Sequence, residues 1–193
     1  MQYSFQKNGQ GFWSEAVASH IRNMESIFNA ASSEGITLWL ESGWAIDARI
    51  GQITREHEDI DIAYPAEHHD SYIDLLRNLG FSGYEQMDYG FLMSKNDILI
   101  DCEPCSKIGE AYILPGFPSG SCPPEPEGKL NGKLIRCISW QAMYFEFLTY
   151  EQEIPRSDWR PKDHESLRLI ELHLSTEERK EVERHLEIAN NPT

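Results

Sequence analysis

Thr54-Arg55-Glu56-His57-Glu58-Asp59-Ile60-Asp61-Ile62 and, further along the chain, Ile98-Leu99-Ile100-Asp101-Cys102-Glu103 alternate apolar and acidic residues. A strand has a two-residue side-chain period, so Asp59 and Asp61 project from one face while Ile60 and Ile62 enter the core. Asp101 and Glu103 repeat the arrangement on a second strand, with Ile98 and Ile100 facing the other way. Carboxylates gathered at one strand edge repel one another unless a cation neutralises them. Hard oxygen ligands of this kind favour Mg²⁺ or Mn²⁺.

The chain has 193 residues, enough to bury a real core as one large domain or two small ones. Its net charge of -15 excludes a broad basic surface for nucleic-acid phosphates. An acidic field suits a cationic partner, although acidic excess serves more often as a solubility device. Residues Met1 to Lys7 lack the apolar core of a signal peptide, and no apolar run approaches membrane-spanning length, so the expectation is a cytoplasmic protein with no membrane partner. Cys102, Cys105, Cys122 and Cys137 are too few and too scattered for a disulfide scaffold. Cys102 and Cys105 have zinc-ligand spacing but no second pair, so this pair reads as small buried hydrophobes rather than zinc ligands.

Working outward, apolar positions at helical spacing (Val17, Ile21, Met24, Ile27, Phe28) predict a helix from about Gly11 to Ser33. A strand at Ile36 to Leu40, a turn at Ser42-Gly43 and a helix from Trp44 to Ile50 follow. The acidic strand covers Glu58 to Ala63, a second helix Glu67 to Leu79, and another strand Phe81 to Met87. Tyr89 to Ser94 and Asp97 to Cys102 form a hairpin across Lys95-Asn96. Ala111 to Leu114 is a further strand, and Asn131-Gly132 is a hairpin signal between Lys129-Leu130 and Lys133 to Arg136. From Ser139 the pattern is helical: 139 to about 150, 163 to 174, and a last helix opened by the Ser175/Glu178 capping box. The class is α+β, with a mixed sheet and helices over residues 1–138 and a helical domain over 139–193.

A strand, a small-residue turn, a helix, a strand carrying Asp-x-Asp and a further strand carrying Asp is the layout of the nucleotidyltransferase fold. At Ser42-Gly43 the backbone and the start of the next helix can approach a triphosphate. The chain also resembles the bacterial aminoglycoside 2''-nucleotidyltransferases. Gly43-Trp44-Ala45-Ile46-Asp47-Ala48-Arg49, Thr54-Arg55, His57, Asp59-Ile60-Asp61, Asp88-Tyr89-Gly90-Phe91-Leu92, Asp101-Cys102-Glu103-Pro104, Gly120-Ser121-Cys122-Pro123 and Asp158-Trp159 carry the likeness. The Gly-Trp to Asp-x-Asp block is shared with lincosamide nucleotidyltransferases, and the blocks around Asp88 and Asp101 narrow it.

The resemblance implies transfer of AMP from ATP to an antibiotic hydroxyl, with release of pyrophosphate. It implies two metal ions, Mg²⁺ or alternatively Mn²⁺, at Asp59 and Asp61, with Asp101 as general base or a further metal ligand. Ser42, Gly43, Arg55, His57 and Lys162 fall to the nucleotide, with orientation of the acidic strand an equal alternative for His57. Tyr89, Asp101, Glu103, Glu146 and Tyr150 are candidates for the acceptor, because a polyamine sugar needs carboxylates for its ammonium groups and aromatic walls for its rings. Trp44 and Trp140 are assigned to packing, and Asp47 to orienting the turn or Arg55. The family reads three glycines where this chain has Glu41-Ser42-Gly43, which leaves ATP against GTP open, and Asp where it has Glu146, which leaves open the hydroxyl modified. A lincosamide acceptor and a noncatalytic nucleotide-binding role are the rivals. The expected state is a monomer.

Overall fold

A computed structural model describes residues 13–191. The start of the first helix at Gly11 and the reading of Met1 to Lys7 lie outside the described residues. Helix α1 spans Glu15–Ser33, with Ser14 Oγ accepting from the Val17 amide, and buries Val17, Ile21, Met24 and Ile27. Strand β1 is only Trp39–Leu40, shorter than the predicted five residues, and α2 follows at Ser42–Ile50. Strand β2 covers Asp59–Pro65, and a single 3₁₀ turn at Ala66–His68 leads into α3, His69–Asn78. Then come β3 (Ser82–Gln86), β4 (Phe91–Lys95), β5 (Ile98–Ile108) and β6 (Ala111–Ile113).

The sheet runs β1-β2-β5-β4-β3, with β6 on the far end of β5. β2 and β5 are parallel and the other pairs antiparallel, so the sheet is mixed as expected. Ile60, Ile62 and Ile100 are fully buried, which confirms the alternation and leaves the aspartates on the opposite face. β5 outruns its predicted end at Cys102, and Pro104 lies inside it. The pairing of β4 ends at Cys102, so Pro104 stands where that side of the ladder has stopped and its missing N–H costs no bond.

β7 (Gly128–Leu130) and β8 (Lys133–Ile135) form the predicted hairpin, with Asn131 and Gly132 both at left-handed φ. The next residues return to the main sheet: the Leu40 amide donates to Arg136 O and the Ile138 amide to Leu40 O, both at 2.9 Å. Helix α4 (Trp140–Glu153) is capped by Ser139, α5 spans Pro161–Leu172, and α6 (Thr176–Asn190) carries the predicted capping box. The predicted start of α5 at Asp163 is two residues late, because Pro161 occupies its first turn, where a missing N–H is harmless. All four cysteines are buried and free. Among the described residues no helix is long and apolar enough to cross a membrane.

Candidate active site

The turn between β1 and α2 is tied down over the aspartates of β2. The Glu41 amide donates to Asp61 O and Trp44 Nε1 to Asp59 O, each at 3.0 Å. Ser42 opens α2 at φ 48°, in the left-handed region. Among the described residues no side chain caps α2, so its first amides keep their donors for an anion. A Cβ on Gly43 would meet His57 Nδ1 at 2.5 Å and the Arg55 guanidinium more closely still. The glycine therefore admits two side chains against the turn, in addition to the role in phosphate approach that the sequence suggests.

Behind the turn is a buried lock. Asp47 is fully buried and accepts from Thr54 Oγ1 at 2.5 Å and from His57 Nε2 at 2.7 Å. The His57 ring packs on Trp44 with centroids 4.2 Å apart. Burial pulls the His57 pKa down, outweighing Asp47, so the imidazole is neutral, with its proton on Nε2 and Nδ1 turned toward Gly43. Asp47 thus orients His57 and Thr54 rather than Arg55, which bonds the Glu56 carbonyl. Trp44 packs in the core as assigned, and Trp140 stacks on His173 at 4.4 Å.

A cleft of about 260 Å³ opens beside the turn. Ser42, Gly43, Arg55, His57, Asp59, Asp61, Glu146, Tyr150 and Lys162 line it, which brings together nine of the residues singled out in the sequence. Its cations, Arg55, Arg160 and Lys162, come from the segment before β2 and the start of α5. Lys162 Nζ pairs with Glu58 at 2.8 Å, and Arg160 forks onto Asp163 at 2.9 and 3.0 Å. Tyr150 packs on Trp159, whose ring also carries the Arg156 guanidinium, so it belongs to this cationic side.

The acids gather along the sheet. Asp61 is in register with Asp101 across the parallel pair, and Glu103 with Ala63. Gly90 lets β4 close on β5, since a Cβ there would strike the Cys102 carbonyl and come within 3.2 Å of Glu103 Cα. That approach sets Tyr89 over the strand, where its hydroxyl donates to Asp101 Oδ2 at 2.7 Å. Glu146 reaches in from α4 and accepts from Ser42 Oγ at 3.0 Å. Burial, then the charges of Asp59, Glu146 and Asp101, lift the Asp61 carboxyl well above its usual range. Burial also raises Asp101, against the Tyr89 hydrogen bond, and pushes Glu103 and Glu146 up to about 7. Glu103, Tyr89 and Asp101 stand outside the lining of the cleft proper, at its strand edge.

The donor set suits a hard divalent cation in its chemistry: carboxylates on one face whose mutual repulsion calls for positive charge. Among the described residues no three acids, histidines or cysteines stand close enough to hold one ion together. The sequence left several lining residues unmarked, the charged Glu58, Arg160 and Asp163 among them; Glu41, an acid beside Ser42-Gly43 and outside that lining, is 6 % exposed with Oε1 unpartnered.

The family profile described as aminoglycoside-2''-adenylyltransferase matches residues 23–167. A 2''-aminoglycoside nucleotidyltransferase of Escherichia coli is 41% identical over 154 residues, covering 80% of this chain and 87% of the relative. The crystal structure of ANT(2'')-Ia in complex with adenylyl-2''-tobramycin superposes with a TM-score of 0.83 at 38% identity, over 89% of this chain and 97% of that one. A lincomycin-bound lincosamide adenylyltransferase shares the fold at a TM-score of 0.60 and 20% identity, over 78% of this chain and 95% of that one. The nucleotidyltransferase fold is thereby established, and with it an enzyme: the chain belongs to the aminoglycoside 2''-adenylyltransferase family.

Proposed function

We propose that this protein transfers AMP from ATP to a hydroxyl of an aminoglycoside, the 2''-hydroxyl by analogy with its relatives, and so confers resistance. The observation that carries the reading is the charge division of the site: Arg55, Arg160 and Lys162 line a cleft with the carboxylates of Asp59, Asp61 and Glu146, and the two remaining acids of the lining, Glu58 and Asp163, are the ones paired with Lys162 and Arg160. A triphosphate matches the cations and a polyamine matches the acids. The acids also favour a polycation over a lincosamide.

In this reading the α2 amides, Arg55 and Lys162 hold the triphosphate, Lys162 exchanging Glu58 for phosphate. His57, fixed through Asp47, keeps Gly43 and Arg55 in place. Asp59 and Asp61 would hold two Mg²⁺ ions, with Mn²⁺ as the alternative and Asp101 as an added ligand. Bound there, a divalent cation supplies charge neutralisation of the phosphates. Asp101 takes the proton of the acceptor hydroxyl once Tyr89 yields Oδ2. The hydroxyl oxygen then bonds the α-phosphorus, the bond from that phosphorus to the bridging oxygen breaks, and pyrophosphate leaves. Glu103, Glu146 and Tyr89 receive the acceptor's ammonium groups and ring, and Tyr150 walls the nucleotide side. Residues 1–138 form the catalytic domain and 139–193 a helical one, in a monomeric bacterial cytoplasmic enzyme without a nucleic-acid or membrane partner.

Pyrophosphate release with ATP and Mg²⁺ against aminoglycosides and lincosamides, with mass spectrometry of the drug, tests this. One AMP added to an aminoglycoside is the expected result. Release only with a lincosamide, or ATP binding without release, overturns it.

A further inference from the structure

Glu41 has no duty in the chemistry described so far, yet it is buried between the Ser42-Gly43 turn and the Asp61 backbone. It is the residue before α2, where an acid ordinarily bonds the helix's first amides, and it makes no such bond. Its side chain is 6 % exposed, and Oε1 is buried with no hydrogen-bond partner. The acids Glu103, Glu146 and Asp61 act on it in that order, ahead of the Cys122 thiol, so negative charge dominates its surroundings, and among the described residues no hydrogen bond reaches Oε1. Its backbone is anchored to Asp61 O at 3.0 Å, which fixes it in the row of acids across β2 and β5. A buried carboxyl oxygen left without a donor costs free energy that the fold does not recover from within.

We propose that Glu41 is a specificity-determining residue that joins Glu103 and Glu146 in a pocket for one primary ammonium group of the acceptor, a deepening that rests on the aminoglycoside reading above. An ammonium brings what the pocket lacks: three N–H donors that point to separate acceptors, and a positive charge among acids. The glycine that the family resemblance expects at this position has no carboxylate, so the pocket gives this chain its own acceptor preference.

The test uses the full chain, tobramycin, and Glu41→Gln with Glu41→Ala beside it. Gln keeps the volume and removes the charge, and a remote exposed change, Glu110→Gln, controls for net charge. Calorimetric titration with tobramycin in the absence of nucleotide is read first, then steady-state AMP transfer. Both Glu41 variants are expected to raise the tobramycin Kd and KM about tenfold or more, leaving kcat and the KM for ATP within about twofold of the parent. For an analogue in which one amino group is replaced by hydroxyl, the one seated here, the penalty should vanish. Unchanged tobramycin binding, an equal loss for every amino-to-hydroxyl analogue, or a changed Mg²⁺ requirement overturns the pocket. Transfer to tobramycin with Kd indifferent to Glu41 refutes the pocket and keeps the proposed activity. Loss of binding in the variants, with no transfer by the parent, refutes the activity and keeps the pocket.

Discussion

The two sides of the cleft are held in opposite ways. On the cationic side two of the three charges already sit on carboxylates, Lys162 on Glu58 and Arg160 on Asp163, and Arg55 bonds the Glu56 carbonyl. These pairs are partly exposed, so phosphate can replace the carboxylate at small cost. On the acidic side Glu41 is buried and Asp61, Glu103 and Glu146 are half-buried, and desolvation lifts every one of their carboxyls above its usual range. One side is neutralised before its ligand arrives, and the other waits for its ligand to neutralise it. Nucleotide binding should therefore depend weakly on single residues, and acceptor binding strongly.

The largest expected effect lies at the seam. Asp101 is in register with Asp61 and accepts from Tyr89, and Asp101→Asn keeps the shape while removing the base. Turnover should fall by a factor of about 10³ or more, with nucleotide affinity nearly intact. Single-turnover assays and nucleotide titration separate the two. Near-parental turnover would remove Asp101 from the proton transfer and blur the division between the sides.

Glu146→Gln comes next and probes the cost of desolvating a carboxylate on the acidic side. The folded-state pKa of about 7 lies above an ordinary glutamate's 4.5, so the folded protein binds the proton more tightly than the unfolded chain. Stability at this residue is present at low pH and is lost as pH rises from about 4.5 to about 7. The amide variant should gain on the order of 2 kcal/mol at pH 8 over the parent and show no gain at pH 4. Urea denaturation at both pH values measures this, and an equal change at both would deny that Glu146 ionises against the fold. The same variant should raise the aminoglycoside KM, setting function against stability.

Lys162→Ala addresses the other side. Loss of one phosphate contact should raise the KM for ATP only about threefold and leave the aminoglycoside KM unchanged. Thermal unfolding should barely move, because the Glu58 partner is exposed. A comparable rise in the acceptor KM would show that the two sides do not act separately.

Much of this division was legible in the sequence because it rests on periodicity. Asp59, Asp61, Asp101 and Glu103 announce a shared face by alternation alone, and the Asn131-Gly132 and Ser175/Glu178 signals are local chemistry that the fold obeys. What was hidden depends on tertiary contact. The extension of β5 through Pro104 follows from where β4 stops, and the return of residues 136–138 to β1 has no local signature. Of the two expectations for Asp47, orienting Arg55 fails although Arg55 is the nearer in sequence, because the fold packs the His57 ring on Trp44 and brings it to the carboxylate. Glu41 was visible as an unexpected acid, but its burial among other acids was not.

The smallest effect is expected at Ser42, which touches both sides. Its φ of 48° costs an L-residue about 1 kcal/mol, and glycine at this position removes that cost. The hydroxyl's bond to Glu146 contributes about as much when the carboxylate is ionised, and less when it is protonated. Ser42→Gly should thus leave stability at pH 8 within about 0.5 kcal/mol of the parent and raise it at pH 5. It should also lift the pKa of Glu146 further, since the Ser42 bond is what holds that pKa down. Ser42→Ala separates the terms, because it loses the bond and keeps the backbone cost, and so should be the less stable variant at pH 8. If alanine and glycine prove equal in urea titrations at both pH values, the left-handed backbone carries no cost here, and Ser42 matters to the acidic side through its hydroxyl alone.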